Sequence, residues 1–233
     1  MPTFDSSNSS GGVSAPTDSK NGYFRSIYGR WVVPNVIFPD INSAASLATW
    51  IGLGEGEVGD DGGINAEYMF QVGVLFQSVP AGGLAVSNYN FYFYSPFQFA
   101  YQVLTNISVS PGDAVFAMIC TTPQSPDITC TVWNETTGEF SRWTYSEKES
   151  GVALAANWAG WMVGNVNDDN NVSLLGKYGA VIFDSVSAYH TDKGNVFPDR
   201  ALSLSGPDEN GNIAELSSGS LINDTIVVCS YIP

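Results

Sequence analysis

Few residues of this chain have side chains that can make or break bonds, and their spacing narrows the field further. The single histidine, His190, stands just before Thr191-Asp192-Lys193-Gly194. A Ser-His-Asp relay could be built only around that imidazole, and no Gly-x-Ser-x-Gly elbow is present to partner it. His190 therefore reads as a strand-end residue before a turn. One histidine and the 3 cysteines, Cys120, Cys130 and Cys229, give no Cys/His zinc spacing. Cys120 and Cys130 flank a segment containing Pro123 and Pro126, so they could meet across a hairpin; in a reducing compartment the simpler reading is three buried thiols. Gly52-Leu53-Gly54-Glu55-Gly56 matches half of a nucleotide fingerprint but leads into acidic residues and no helix, so it reads as a turn. The acidic stretches Glu55 to Asp61 and Asn165 to Asn171 offer oxygens to a hard cation, yet lack the ligand spacing of a calcium loop and read as solvated turns. No metal site is expected. Among the carboxylates, Glu67 is the strand exception. By the two-residue period it shares a face with Met69 and Gln71.

The whole-chain balance excludes several partners. With 8 Lys+Arg against 23 Asp+Glu in 233 residues, the formal charge is −15 and the pI about 4.1. Such a chain repels phosphate backbones and anionic lipid, and its basic residues form no patch, so neither nucleic acid nor a membrane is an expected partner. No apolar run has the length of a membrane helix. Hydrophobic residues make up 44 % and charged residues only 13 %, which is the composition of a folded chain with a sizeable core. Residues 1–22 are polar and Gly/Ser-rich, with no leader pattern, and are expected to form a flexible arm. The expected location is cytoplasmic if Met1 is the initiator and secreted if a leader was removed. Sequons at Asn8, Asn106, Asn134, Asn171 and Asn223 pull toward secretion. Oligomeric state is left open.

The elements that must position any site are strands. Alternating or continuous β-rich runs recur at 27–34, 46–52, 66–77, 89–94, 98–109, 114–122, 128–133, 139–145, 156–163, 180–188 and 225–231. Gly, Pro, Asn and Asp clusters separate them. Val109-Ser110-Pro111-Gly112-Asp113 and Asn134-Glu135-Thr136-Thr137-Gly138 have the chemistry of tight reversals. About eleven strands without a helical stripe or a composition break predict one all-β domain over residues 23–233, a two-sheet antiparallel sandwich.

The order of the blocks then carries a resemblance. Tyr28-Gly29-Arg30-Trp31-Val32-Val33-Pro34-Asn35, Ala48-Thr49-Trp50-Ile51-Gly52-Leu53-Gly54 and Tyr68-Met69-Phe70-Gln71-Val72-Gly73-Val74 resemble the opening blocks of the fungal glutamic peptidases, the eqolisins. Tyr92-Phe93-Tyr94-Ser95-Pro96, Ile107 to Asp113, Asn134 to Gly138, Ala156-Asn157-Trp158-Ala159-Gly160-Trp161-Met162-Val163 and Val228-Cys229-Ser230-Tyr231 follow in the family's order. The resemblance implies a jelly-roll sandwich of curved sheets with a substrate cleft on one concave face. It also implies a glutamine and a glutamate that together activate water. The glutamine is retained at Gln71, whereas the glutamate position holds Gly160; two further family carboxylates correspond to Phe93 and Gly54. An amide side chain cannot take a proton from water and return it to a leaving amine, so Gln71 alone is a hydrogen-bonding group without a base. Glu67 lies about 13 Å along an extended strand from it.

The expected protein has kept the peptidase scaffold without the chemistry. With Gln71 facing inward, the cleft is predicted to be lined by Trp50, Met69, Gln71, Gly73, Phe91, Phe93, Trp158, Gly160 and Met162, with Gly160 opening a volume. That lining suits a small, planar, mostly apolar ligand, such as a pigment chromophore, stacked on rings and anchored by Gln71. Hiding about 300 Å² of such a guest yields about 7 kcal/mol before association entropy. Two other functions compete: a carbohydrate-binding protein that stacks sugars on Trp50 or Trp158, and a residual acid peptidase that pairs Gln71 with an unassigned carboxylate.

Overall fold

A computed structural model describes residues 3–6, 9–15, 22–37, 45–58, 64–81, 84–95, 100–122, 125–146, 156–165, 174–207 and 212–233. The strands in chain order are β1 (Thr3–Ser6), β2 (Ser9–Ser14), β3 (Phe24–Val32), β4 (Ala45–Val58), β5 (Ile64–Ala81) and β6 (Leu84–Ser95). Next come β7 (Ala100–Val103), β8 (Ala114–Thr122), β9 (Ser125–Asn134), β10 (Glu139–Tyr145), β11 (Trp158–Gly164) and β12 (Leu174–Leu175). The last are β13 (Ala180–His190), β14 (Gly194–Val196), β15 (Arg200–Pro207), β16 (Ile213–Asn223) and β17 (Ile226–Tyr231). The expected all-β fold is present.

Hydrogen bonding joins all 17 strands into one continuous sheet that doubles back on itself. One layer runs β7-β6-β5-β4-β11-β2-β15, with β1 beside β15. From β15 the ladder passes to β16 and continues as β17-β13-β3-β8-β9-β10 in the second layer. A register shift between Leu204 and Ser205 marks the corner. Between the layers lies the main core, with Trp31, Ile51, Phe70, Phe91, Phe93, Trp161 and Phe183 fully buried. At the far side, Phe93 meets Trp143 edge-on at 5.0 Å and Tyr145 at 4.7 Å, which joins the two layers through their rings.

Turn chemistry follows the sequence. Asn134 is buried, its side-chain oxygen accepts from Thr136 N at 3.0 Å, and Gly138 takes φ +79°. Its side-chain nitrogen is committed to Ser108 O and Asp113 Oδ2, at 3.0 and 2.8 Å. His190 ends β13, as its position predicts. Its Nδ1 accepts from Asp192 N at 3.2 Å, and burial, with Lys193 nearby, holds its pKa below the usual value.

The structure corrects the reading of residues 1–22 as an arm. Residues 3–6 and 9–14 are strands, and β2 is buried along its length between β11 and β15. Its Ser/Gly content conceals this, because the crossing is too tight for large side chains: a Cβ on Gly12 would stand 2.6 Å from Val227 Cγ2. Ser10 and Tyr178 each bond Ser217 in the core below. The Ser-rich β16 also lacks the hydrophobic alternation that marks a strand. The run predicted at 98–109 keeps only β7, and Ile107 and Val109 are buried from irregular chain. Gly52 to Gly56 lies in the interior of β4 and is not a turn, and Glu55 to Val58 are strand too. The rest of the two acidic stretches, apart from Asn165, lies outside the described residues. Cys130 pairs with Ile119 on the core side and Cys120 with Thr129 on the other, so these thiols do not meet; all three cysteines are free.

Deleting residues 1–15 is expected to abolish the cooperative thermal transition, measured by calorimetry; a dispensable arm would leave it unchanged. His190, whose folded pKa is depressed, should lower stability as pH falls below about 6.5, where the unfolded imidazole begins to bind its proton. His190→Gln should flatten the dependence of Tm on pH between about 7 and 5.5.

Candidate functional site

Directly opposed residues of an antiparallel pair point to the same face, so the register of the first layer specifies its outward surface. Gln71 of β5 lies opposite Gly52 of β4, and Gly52 lies opposite Gly160 of β11. On the other side Gln71 faces Tyr94, and Tyr94 faces Tyr101. The parallel rows beside it are Met162-Trp50-Gly73-Tyr92 and Trp158-Gly54-Met69. With about 4.8 Å per strand, the Cα atoms of Gly160 and Gln71 are about 10 Å apart. Long side chains at both positions would meet above Gly52.

This surface brings together Trp50, Met69, Gln71, Trp158, Gly160 and Met162, as the sequence reading expects. It does not include Phe91 and Phe93. Those rings oppose Val74 and Val72 and lie in the core between the layers. Tyr92 and Tyr94 hold the outward positions instead. The pairing of β6 with β5, in which Tyr94 opposes Gln71 and Tyr92 opposes Gly73, turns Phe91 and Phe93 inward and corrects their expected place in the cleft lining. The signal that was overlooked is Gly82-Gly83: Ala81 pairs with Leu84 across this two-residue connection, which sets the register of the entire β5-β6 hairpin. Glu67 is the extra residue of a bulge, since Tyr68 opposes Glu55 while Ala66 opposes Gly56. Its side chain lies outside the described residues.

Gln71 is partly exposed and held at both ends of its amide. Tyr92 Oη donates to Gln71 Oε1 at 3.1 Å, and Gln71 Nε2 donates to Met69 Sδ at 3.2 Å. Burial raises the Tyr92 pKa well above its usual value, so the phenol keeps its proton and remains a donor. No side chain in the row of Gly160, Gly52, Gln71, Tyr94 and Tyr101 is a carboxylate. Among the described residues no three of His, Cys, Asp and Glu cluster into a metal-binding group.

The volume expected at Gly160 is occupied from within. A Cβ there would stand 3.0 Å from Trp158 Cζ3 and 3.4 Å from Met162 Cγ. The indole of Trp50 covers Gly52 at 2.7 Å, and that of Trp158 covers Gly54 at 2.5 Å, measured to the same hypothetical carbon. The three glycines are therefore seats for two rings. Trp50 is 6 % and Trp158 3 % exposed, and with Val13, Tyr92, Met162 and Leu202 they form a second hydrophobic cluster. Met69, Tyr94 and Tyr101 pack on it partly exposed. Trp158 Nε1 is buried without a hydrogen-bond partner, an omission that costs about 1–3 kcal/mol. Asn157 fastens the margin by bonding Gly56 N at 3.1 Å and Gly56 O at 2.7 Å.

The sequence matches the Peptidase A4 family over residues 7–231. Among solved structures, scytalido-glutamic peptidase with a transition state analog inhibitor is similar at TM-score 0.72 and 21% identity, covering 97% of this chain and 98% of that one. SCP-B, a member of the eqolisin family in complex with the tripeptide Ala-Ile-His, is similar at TM-score 0.64 and 20% identity, with 97% and 98% covered. The aspergilloglutamic peptidase from Aspergillus niger is similar at TM-score 0.61 and 20% identity, with 81% and 99% covered. No curated protein matches.

Gly160→Glu is expected to destabilise the fold by about 1–3 kcal/mol in denaturant unfolding, because the new side chain collides with the Trp158 ring. Combined with Trp158→Ala, the loss should fall clearly short of the sum of the two single losses.

Proposed function

The chain belongs to the Peptidase A4 family, and on that premise we propose that it is a non-catalytic, ligand-binding member, whose cleft holds a small, planar, mostly apolar guest. The observation that carries this is the row Gly160-Gly52-Gln71. Hydrolysis of an amide needs a group that takes a proton from water and returns it to the leaving nitrogen. Glycine at 160 can do neither, and Gln71 is a neutral amide already engaged by Tyr92 and Met69. A side chain at 160 would start 3.0 Å from the Trp158 indole, already in tight contact with it.

What remains is a surface suited to retention. Trp50, Trp158 and Met162 supply an apolar bed, and Met69, Tyr94 and Tyr101 supply partly exposed walls. Gln71 offers an amide at the margin. The unpartnered Trp158 N–H favours exchange of its present seat for one in which a guest's oxygen accepts its proton. Entry of a ring-shaped guest then means displacement of the Trp158 indole rather than filling of an empty hollow.

Two measurements test this. Incubated with denatured protein substrates at about pH 3, where a carboxylate would work as acid or base, the protein should release no peptides. Cleavage that Gln71→Ala abolishes would establish a residual peptidase instead. Mass spectrometry and absorption spectroscopy of protein from its native source should reveal a bound aromatic compound. Preparations of exact polypeptide mass that also fail to quench tryptophan fluorescence with any planar aromatic probe count against the guest.

A further inference from the structure

The row that carries Gln71 extends past Gly160. Val13 of β2 opposes Gly160, and Arg200 of β15 opposes Val13. One line of side chains thus crosses the layer from Arg200 through Val13, Gly160, Gly52 and Gln71 to Tyr94 and Tyr101. Arg200 shares its face with Leu202, a member of the second hydrophobic cluster, and bonds Ala15 of the same cluster. It is the one cation of this line.

Its guanidinium is sheltered but poorly paired. The side chain is 16% exposed, and Nη2 donates to Ala15 O at a long 3.4 Å. The Asp199 carboxylate is 3.9 Å from Nε, beyond hydrogen-bond reach, and is itself 57% exposed. Lys193 also acts on that carboxylate, so Asp199 does not neutralise Arg200 alone. A guanidinium has five N–H donors in a planar fork, and among the described residues only Ala15 O accepts from it. Taking a charge out of water without an acceptor is unfavourable, and the fork matches the two oxygens of a carboxylate. A phosphate dianion would call for more than one positive group, and this line contains only Arg200.

We propose that Arg200 is a carboxylate anchor, so that the guest of the cleft is an organic acid whose apolar body lies along the row toward Gln71. This rests on the ligand-binding reading above and names the chemical class of the guest. The carboxylate belongs either to a small aromatic acid or to the C-terminus of a peptide. From Arg200 to Gln71 the row spans four strand steps, about 19 Å between Cα atoms. Between those two ends lies the bed of Trp50, Trp158 and Met162, which the apolar body of the acid would cover. The chain's net charge of −15 repels such a ligand at long range, so its affinity has to come from the contact itself.

Calorimetric titration of the full chain with two matched pairs tests the assignment: 2-naphthoate against 2-naphthamide, and N-acetyl-Ala-Ala-Phe against its C-terminal amide. The wild type should bind the acid of at least one pair ten-fold or more tightly than its amide, and Arg200→Gln should lose that preference while binding the amide unchanged. Preference within the naphthalene pair identifies a small acid, and preference within the peptide pair a chain terminus. Because the acid-to-amide comparison is made in the wild type, it holds even if Arg200→Gln fails to fold. Equal affinities, or a preference that survives in Arg200→Gln, overturn the anchor and leave the aromatic guest standing. Failure of all four compounds to bind overturns both.

Discussion

The register of β4 between β5 and β11 is the constraint on which the rest of the site depends. Because pairing is antiparallel on both sides, Gly52 aligns Gln71 with Gly160, and the neighbouring rows align Trp50 with Met162 and Gly54 with Trp158. A shift of one residue would turn this whole set into the core and bring Ile51, Leu53, Phe70 and Val72 to the surface. That core already contains Trp31, Trp161 and Phe183, packed from both layers, so the register is held by burial on the opposite face. The outward surface is in this sense determined by the side it does not use.

Glycine has an unusual part in this surface. At 52, 54 and 160 it leaves space over extended strands, and the rings of Trp50 and Trp158 lie down in that space. A carboxylate-bearing strand would need the same space for its side chain. The arrangement is self-consistent: absence of a long side chain at 160 and presence of an indole above it are two aspects of one packing solution. The cost is the unpartnered Trp158 N–H, a buried polar atom of the bed with no acceptor among the described residues.

The N-terminal strand ties this bed to the other side of the molecule. β2 brings Val13 against Gly160 and Ala15 against Arg200, while its other face bonds through Ser10 to Ser217 and, through its backbone oxygen, Cys229. A segment with little hydrophobic content of its own thus completes both this outward surface and the corner where the sheet doubles back.

Strand-rich periodicity, turn residues such as Asn134 and Gly112, the place of His190 at a strand end and the order of the family's blocks are all local properties, and each was legible in the chain. So was the identity of residue 160, a glycine, which needs no coordinates to be seen. The direction in which β6 faces was decided by pairing with β5, which is why Tyr92 and Tyr94, and not Phe91 and Phe93, reach the outward surface. Likewise β2 and β16 became strands because partners on both sides satisfy their backbone, not because their residues alternate. Whether Gly160 opens a hollow was a question of where distant indoles come to rest, and the placement of Arg200 beside Val13 unites residues far apart in the chain. Composition and period act within a few residues; register, filling of space and the meeting of remote strands exist only once the sheet has closed.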